Sequence, residues 1–237
     1  MDPLLFCHIP KCAGTSFRAV IEAEYKPKQR LFVYKQEELN LPTPSAEFIE
    51  RFQRIRRDIQ IIYGHFAFGM HRFLDIPPVY ATIVREPVAR VISLYHHFGR
   101  DLQSPFFDRI KGGLSLKAFA GMASNHMTRT LAGVPALPGG VAYDEKWLDL
   151  AKENVRKYFC VIGTVESMDE VLAALARRLA WRHHSIPVLN VKPDSPTQID
   201  HETRQAIVEH NALDIGLYDW VKSSGLHMSV GQSGAAS

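Results

Sequence analysis

The stretch His8-Ile-Pro-Lys-Cys-Ala-Gly-Thr-Ser-Phe17 joins an apolar run to the start of a helix and sets a lysine, a glycine and two hydroxyls at the junction. Leu4, Leu5, Phe6 and Ile9 predict a short buried strand that Pro10 ends, and Phe17, Val20 and Ile21 then recur at helical spacing. The junction therefore opens a helix N-terminus, where backbone N–H groups lack intrahelical partners and the macrodipole is positive. An oxyanion fits there with little rearrangement. Lys11 adds a full charge, Gly14 lets the backbone come close to the ligand, and the Thr15 and Ser16 hydroxyls can donate further hydrogen bonds.

Outward from this loop, the runs 31–34, 59–63, 79–84 and 159–162 read as further strands. Helices are predicted between them: one from Thr43 and Pro44 to about Asp58, and one over 86–98, where Val88, Val91, Ile92 and Tyr95 make a core-facing stripe. A helical pattern fills 114–158 with a Gly/Pro-rich break at 134–140. Ser167-Met-Asp-Glu170 reads as a capping box and Asp200 as the cap of a later helix. Strands alternating with helices predict an α/β fold, a P-loop-like three-layer α/β/α with a central parallel sheet. A single domain is expected over 1–228, with 229–237, rich in Gly, Ser and Ala, as a disordered tail.

Composition narrows the partners. The 237 residues carry a net charge of +3, which suits an anionic ligand and falls short of a nucleic-acid footprint. No stretch approaches the roughly twenty apolar residues of a membrane span, and the first residues lack a signal-peptide pattern. Three cysteines with no C-x-x-C pair indicate neither a disulfide framework nor a zinc site, and a reducing cytoplasm is the expected location. The histidine pairs His96/His97 and His183/His184 lack metal-site spacing, so no metal is expected. Arg51, Arg54, Arg56 and Arg57 read as a solvated helix face able to attract an acidic acceptor.

Two more segments carry chemistry. In Val84-Arg-Glu-Pro-Val-Ala-Arg-Val-Ile-Ser-Leu-Tyr95, Arg85 ends a strand, Pro87 suits the first helical turn, and Ser93 lies about 140° around the helix from Val88, off the apolar stripe. Arg85 can fork onto an anion there; the plainer alternative is an Arg85–Glu86 pair and a serine that tolerates burial. Tyr63-Gly-His-Phe-Ala-Phe-Gly69 also follows a strand, at the edge where ligands of parallel sheets gather. His65 there can take a proton near neutral pH, or be a satisfied structural histidine. His8 and His71 have no assigned role.

The first loop is not a Walker A sequence, because its lysine precedes the glycine instead of the hydroxyl residue. With the other two segments it resembles the sulfotransferases that use 3′-phosphoadenosine 5′-phosphosulfate (PAPS), in the carbohydrate branch that includes the heparan sulfate 2-O-sulfotransferases. The resemblance implies that Lys11, Cys12, Ala13, Gly14, Thr15 and Ser16 hold the 5′-phosphosulfate, that Arg85 and Ser93 hold the 3′-phosphate, and that His65 is the base, with Lys11 sharing in catalysis. Asn125-His-Met-Thr-Arg129 resembles the family's N-x-x-T-R segment and Gly163-Thr-Val-Glu166 its G-x-x-E turn, so Asn125, Arg129 and Glu166 are candidate cofactor or acceptor contacts. A cradle this near Met1 suggests a bacterial-type member or a chain trimmed of an anchor. The acceptor expected by analogy is a carbohydrate or glycosylated metabolite, bound by loops such as 101–113 and 134–143. Two rivals stay open: a nucleoside or sugar kinase using ATP on the same cradle, and a non-catalytic nucleotide- or glycan-binding module.

Overall fold

A computed structural model describes residues 2–34, 44–134, 144–183 and 199–224. Five strands, β1 (Leu4–Cys7), β2 (Arg30–Val33), β3 (Ile61–Gly64), β4 (Tyr80–Val84) and β5 (Phe159–Thr164), form one all-parallel sheet in the order β2-β3-β1-β4-β5. Strands β1, β3, β4 and β5 are buried along their whole length, which is why they read as continuous apolar runs without alternation. The helices are α1 (Gly14–Glu24), α2 (Ala46–Ile55), α3 (Met70–Leu74), α4 (Pro87–Phe98), α5 (Phe107–Lys111), α6 (Leu116–Met122), α7 (His126–Ala132), α8 (Lys146–Tyr158), α9 (Met168–Leu179), α10 (His201–His210) and α11 (Ala212–Ser224). The result is the expected three-layer α/β/α arrangement.

The topology places the chemistry. Strand β1 is central, and the chain leaves it toward β2 on one side, then crosses from β3 to β4 on the other. The loops after β3, β1 and β4 therefore leave the same sheet edge side by side, at the reversal where open parallel sheets bind ligands.

Several local expectations change. Helix α2 starts at Ala46, capped by the Ser45 hydroxyl accepting from the Phe48 N–H, and ends at Ile55; Thr43 lies outside the described residues. Ser167 caps nothing in α9. Its hydroxyl accepts from the Thr164 N–H at 3.0 Å while its own N–H reaches the Thr164 hydroxyl at 3.3 Å, closing a 3-10 turn ahead of that helix. The competing partner is three residues upstream, so the Ser167–Glu170 spacing does not form a box. Asp200 caps α10 as expected, accepting from the Thr203 N–H at 2.7 Å. The break at 134–140 beyond Val134, and the tail from Ser229, lie outside the described residues.

Candidate functional site

Between β1 and α1 the chain turns tightly enough to put two non-glycine residues in the left-handed region, Lys11 at φ 69° and Ala13 at φ 56°. Such conformations are unfavourable for residues with a Cβ and concentrate where a loop is shaped for a ligand. Gly14 itself has no positive φ; it is required for space, because a Cβ there would overlap the His8 ring. The cradle is pinned from below by Tyr63, whose hydroxyl donates to the Gly14 carbonyl at 2.8 Å. Cys12 faces inward, buried, with its N–H spent on the Ile9 carbonyl at 3.2 Å. Burial pushes its thiol up to about 12, so it is neither an anion donor nor a thiolate.

The second segment sits one strand away. Arg85 leaves the end of β4 and donates from Nη1 to the Lys11 carbonyl at 3.1 Å, joining the two anion-binding segments directly. Glu86 does not pair with Arg85 in the manner of the plainer alternative. Its carboxylate caps α4, accepting from the Val88 and Ala89 N–H groups at 3.1 and 2.6 Å, with Pro87 in the first turn. Ser93, two turns along, is buried to 5% exposure and still faces the cavity described next.

His65 follows β3, its N–H held by the Val33 carbonyl at 2.8 Å. Its ring lies 4.7 Å from that of His8, which stacks on Tyr63 at 5.2 Å and 13° and approaches the Tyr34 hydroxyl at 3.4 Å through Nδ1. The Nε2 atoms of both histidines are buried and have no hydrogen-bond partner among the described residues. Burial, and then the facing His97, lower His65 to about 4. Burial, His65 and Lys11 lower His8 to about 3. Both imidazoles are neutral at pH 7, so His65 offers a lone pair rather than a charge.

One cavity of about 960 Å³ takes in Lys11, Ala13, Gly14, Thr15, Ser16, His65, Arg85, Ser93 and Arg129. A family model for the sulfotransferase family matches residues 1–221.

The chain belongs to the sulfotransferase family.

It is 29% identical over 244 residues to galactose-3-O-sulfotransferase 3 of Bos taurus and 27% identical to the Homo sapiens protein of that name, covering 90% of this chain and 54% of each relative. The chain thus spans about half the length of these curated relatives. Among solved structures it is similar to mouse sulfotransferase SULT7A1 complexed with PAP, at TM-score 0.44 and 17% identity, covering 78% of this chain and 60% of that one.

Not every expected residue of this sulfotransferase-family chain reaches the cavity. Asn125 is buried elsewhere: its Oδ1 accepts from the Leu213 and Asp214 N–H groups at 3.0 and 3.1 Å, which caps the start of α11. Asp214 returns the favour to α7, accepting from Met127 and Thr128 N–H at 3.1 and 2.7 Å. Glu166 is exposed on the turn after β5, outside the cavity lining. The lining also holds residues to which the sequence assigned no site role, among them His8, whose proximity to the loop was visible but not its stacking on Tyr63, His97, which follows Ser93 by one helical turn, Arg100 just past the end of α4, and His126 at the start of α7. No described helix is long and apolar enough to cross a membrane.

Proposed function

We propose that this chain transfers a sulfuryl group from PAPS to a hydroxyl of a carbohydrate acceptor. The observation that carries the reading is the meeting in one cavity of Lys11, His65 and Arg85, delivered by the loops after three adjacent parallel strands. The residues fit the donor: a helix N-terminus with Lys11 suits one anionic group, and Arg85 with Ser93 suits a second. The Arg85–Lys11 hydrogen bond fixes their spacing.

Arg85 and Ser93 hold the 3′-phosphate, and Lys11 with the N–H groups opening α1 holds the phosphosulfate. His65 accepts the proton of the acceptor hydroxyl as its oxygen bonds to sulfur and the bond from sulfur to the bridging oxygen breaks, the electron pair leaving on 3′,5′-bisphosphoadenosine. Lys11 stabilises the charge that builds on that oxygen, the electrostatic effect that usually dominates such transfers. A base as weak as His65 suffices, because the hydroxyl becomes strongly acidic while its oxygen bonds to sulfur. The relatives' names support a galactose hydroxyl as the first acceptor to try. The three described cysteines are unpaired and buried, in keeping with a reducing, cytoplasmic setting.

Labelled-donor transfer to galactosides, with His65→Ala alongside, tests the reading. Transfer by the native chain and a loss of about 10²-fold or more in the variant are expected. Stabilisation by ATP with magnesium but not by 3′,5′-bisphosphoadenosine would overturn it in favour of a kinase.

A further inference from the structure

The cavity has two chemically different parts. Pro10 to Ser16, Arg85 and Ser93 make the cationic, hydroxyl-bearing part that the donor reading uses. The rest is built from the second half of α4, the segment after it and α6: half-buried Phe98 and Phe106 and exposed Met122 line it, backed by Leu94 and Phe119, which are buried in the core beneath. Phe98 and Phe106 stack at 5.4 Å and 11°, and Phe119 meets both edge-on, at 84° and 90°. Three rings locked in this way form a fixed apolar wall, preorganised for a partner. Met122 stands beside it, 44% exposed, an adaptable thioether side chain. An exposed large apolar side chain next to a concave aromatic wall in a functional cavity marks a ligand surface.

Helix α4 carries both kinds of chemistry in register. Ser93 and His97, at i and i+4, make a polar stripe into the cavity that Arg100 continues just past the helix end, while Leu94 and Phe98 lie one residue round on the apolar side. His97 is near enough to act electrostatically on His65 and to be acted on by Lys11, so the polar stripe runs beside the transfer centre. A ligand complementary to both stripes is amphipathic. The volume, about 960 Å³, is near the upper end of the ~300–1,000 Å³ range of small-molecule sites, room for a donor nucleotide and a small acceptor together.

We propose that the wall of Phe98, Phe106 and Met122, backed by Leu94 and Phe119, is an acceptor subsite for the apolar aglycone of a small glycoside, whose sugar lies against His97 and Arg100. The substrate class is then a glycosylated aromatic or aliphatic molecule, not a free polysaccharide. This rests on the donor reading above. A polysaccharide presents hydroxyls along its whole length, and the ring wall offers them no hydrogen-bond partner.

The test is equilibrium binding of phenyl β-galactoside and methyl β-galactoside to the native chain loaded with 3′,5′-bisphosphoadenosine. The phenyl compound is expected to bind about tenfold more tightly or better, from burial of its ring. Phe106→Ala, and separately Met122→Ser, should remove most of that difference while leaving bisphosphate affinity unchanged. The exposed Met122 change keeps the test open if Phe106→Ala unfolds. Equal affinity for the two galactosides, or binding of neither, overturns the subsite alone. Loss of bisphosphate affinity in Met122→Ser with the galactoside difference intact also overturns it, giving the wall to the adenine. A native chain that does not bind the bisphosphate overturns the donor reading and this inference with it.

Discussion

The His8 imidazole lies where a Cβ on Gly14 would stand. The ring is held there by stacking on Tyr63, whose hydroxyl in turn holds the Gly14 carbonyl, so strand β1, strand β3 and the start of α1 are locked around one contact. Gly14→Ala should displace the ring and cost about 1–3 kcal/mol in urea unfolding, the usual cost of overpacking, with bisphosphate affinity falling at least about tenfold. His8→Ala in the same chain should restore part of both. If the double variant is no better than Gly14→Ala, the clash is not the reason for the glycine.

Arg85 ties the two anion-binding segments together through the Lys11 carbonyl. Arg85→Lys keeps the charge but loses the forked geometry. It should weaken 3′,5′-bisphosphoadenosine by about tenfold or more and 5′-AMP by much less, since AMP lacks the 3′-phosphate. Calorimetric titration of both nucleotides checks this, and equal losses would remove Arg85 from the 3′-phosphate site.

His65 and His8 titrate at about 4 and about 3 in the folded chain, below the ~6.5 of an exposed imidazole. As pH falls below ~6.5 the unfolded chain takes up protons that the folded chain refuses, so stability present above that pH is lost progressively. The loss continues to about 4 for His65 and about 3 for His8. Each histidine steepens the fall by up to about 1.4 kcal/mol per pH unit in its window. Urea unfolding from pH 7 to pH 4 should show a shallower fall for His65→Gln than for the native chain; parallel curves would contradict the burial of this imidazole.

Arg90 and Asp214 are both fully buried, 3.8 Å apart, and Arg90 also donates to the Ala123 carbonyl at 3.0 Å. Asp214 at the same time caps α7. Asp214→Ala leaves a buried guanidinium and two helix N–H groups without their acceptor, and should cost about 3–5 kcal/mol by denaturant unfolding. Asn125→Ala, which removes the cap of α11 and sets an alanine at a left-handed φ of 46°, should cost about 2 kcal/mol, with little change in bisphosphate affinity. A large, selective loss of nucleotide binding in Asn125→Ala would return that residue to the ligand site.

By itself the sequence determined what acts within a few residues: the strand–loop–helix of the cradle, the proline-led start of α4, the Asp200 cap and the alternation of strands and helices that demands a parallel sheet. These follow from side-chain period, from backbone donors at helix starts and from the fixed φ of proline, all local effects. Tertiary structure alone decided that Gly14 makes way for the His8 ring stacked on Tyr63, and that Asn125 is spent on α11. It also decided that Phe98, Phe106 and Phe119 close into one wall. Each of these depends on which distant or competing group the folded chain brings to a donor, an acceptor or a ring face, and spacing along the chain carries no record of that choice.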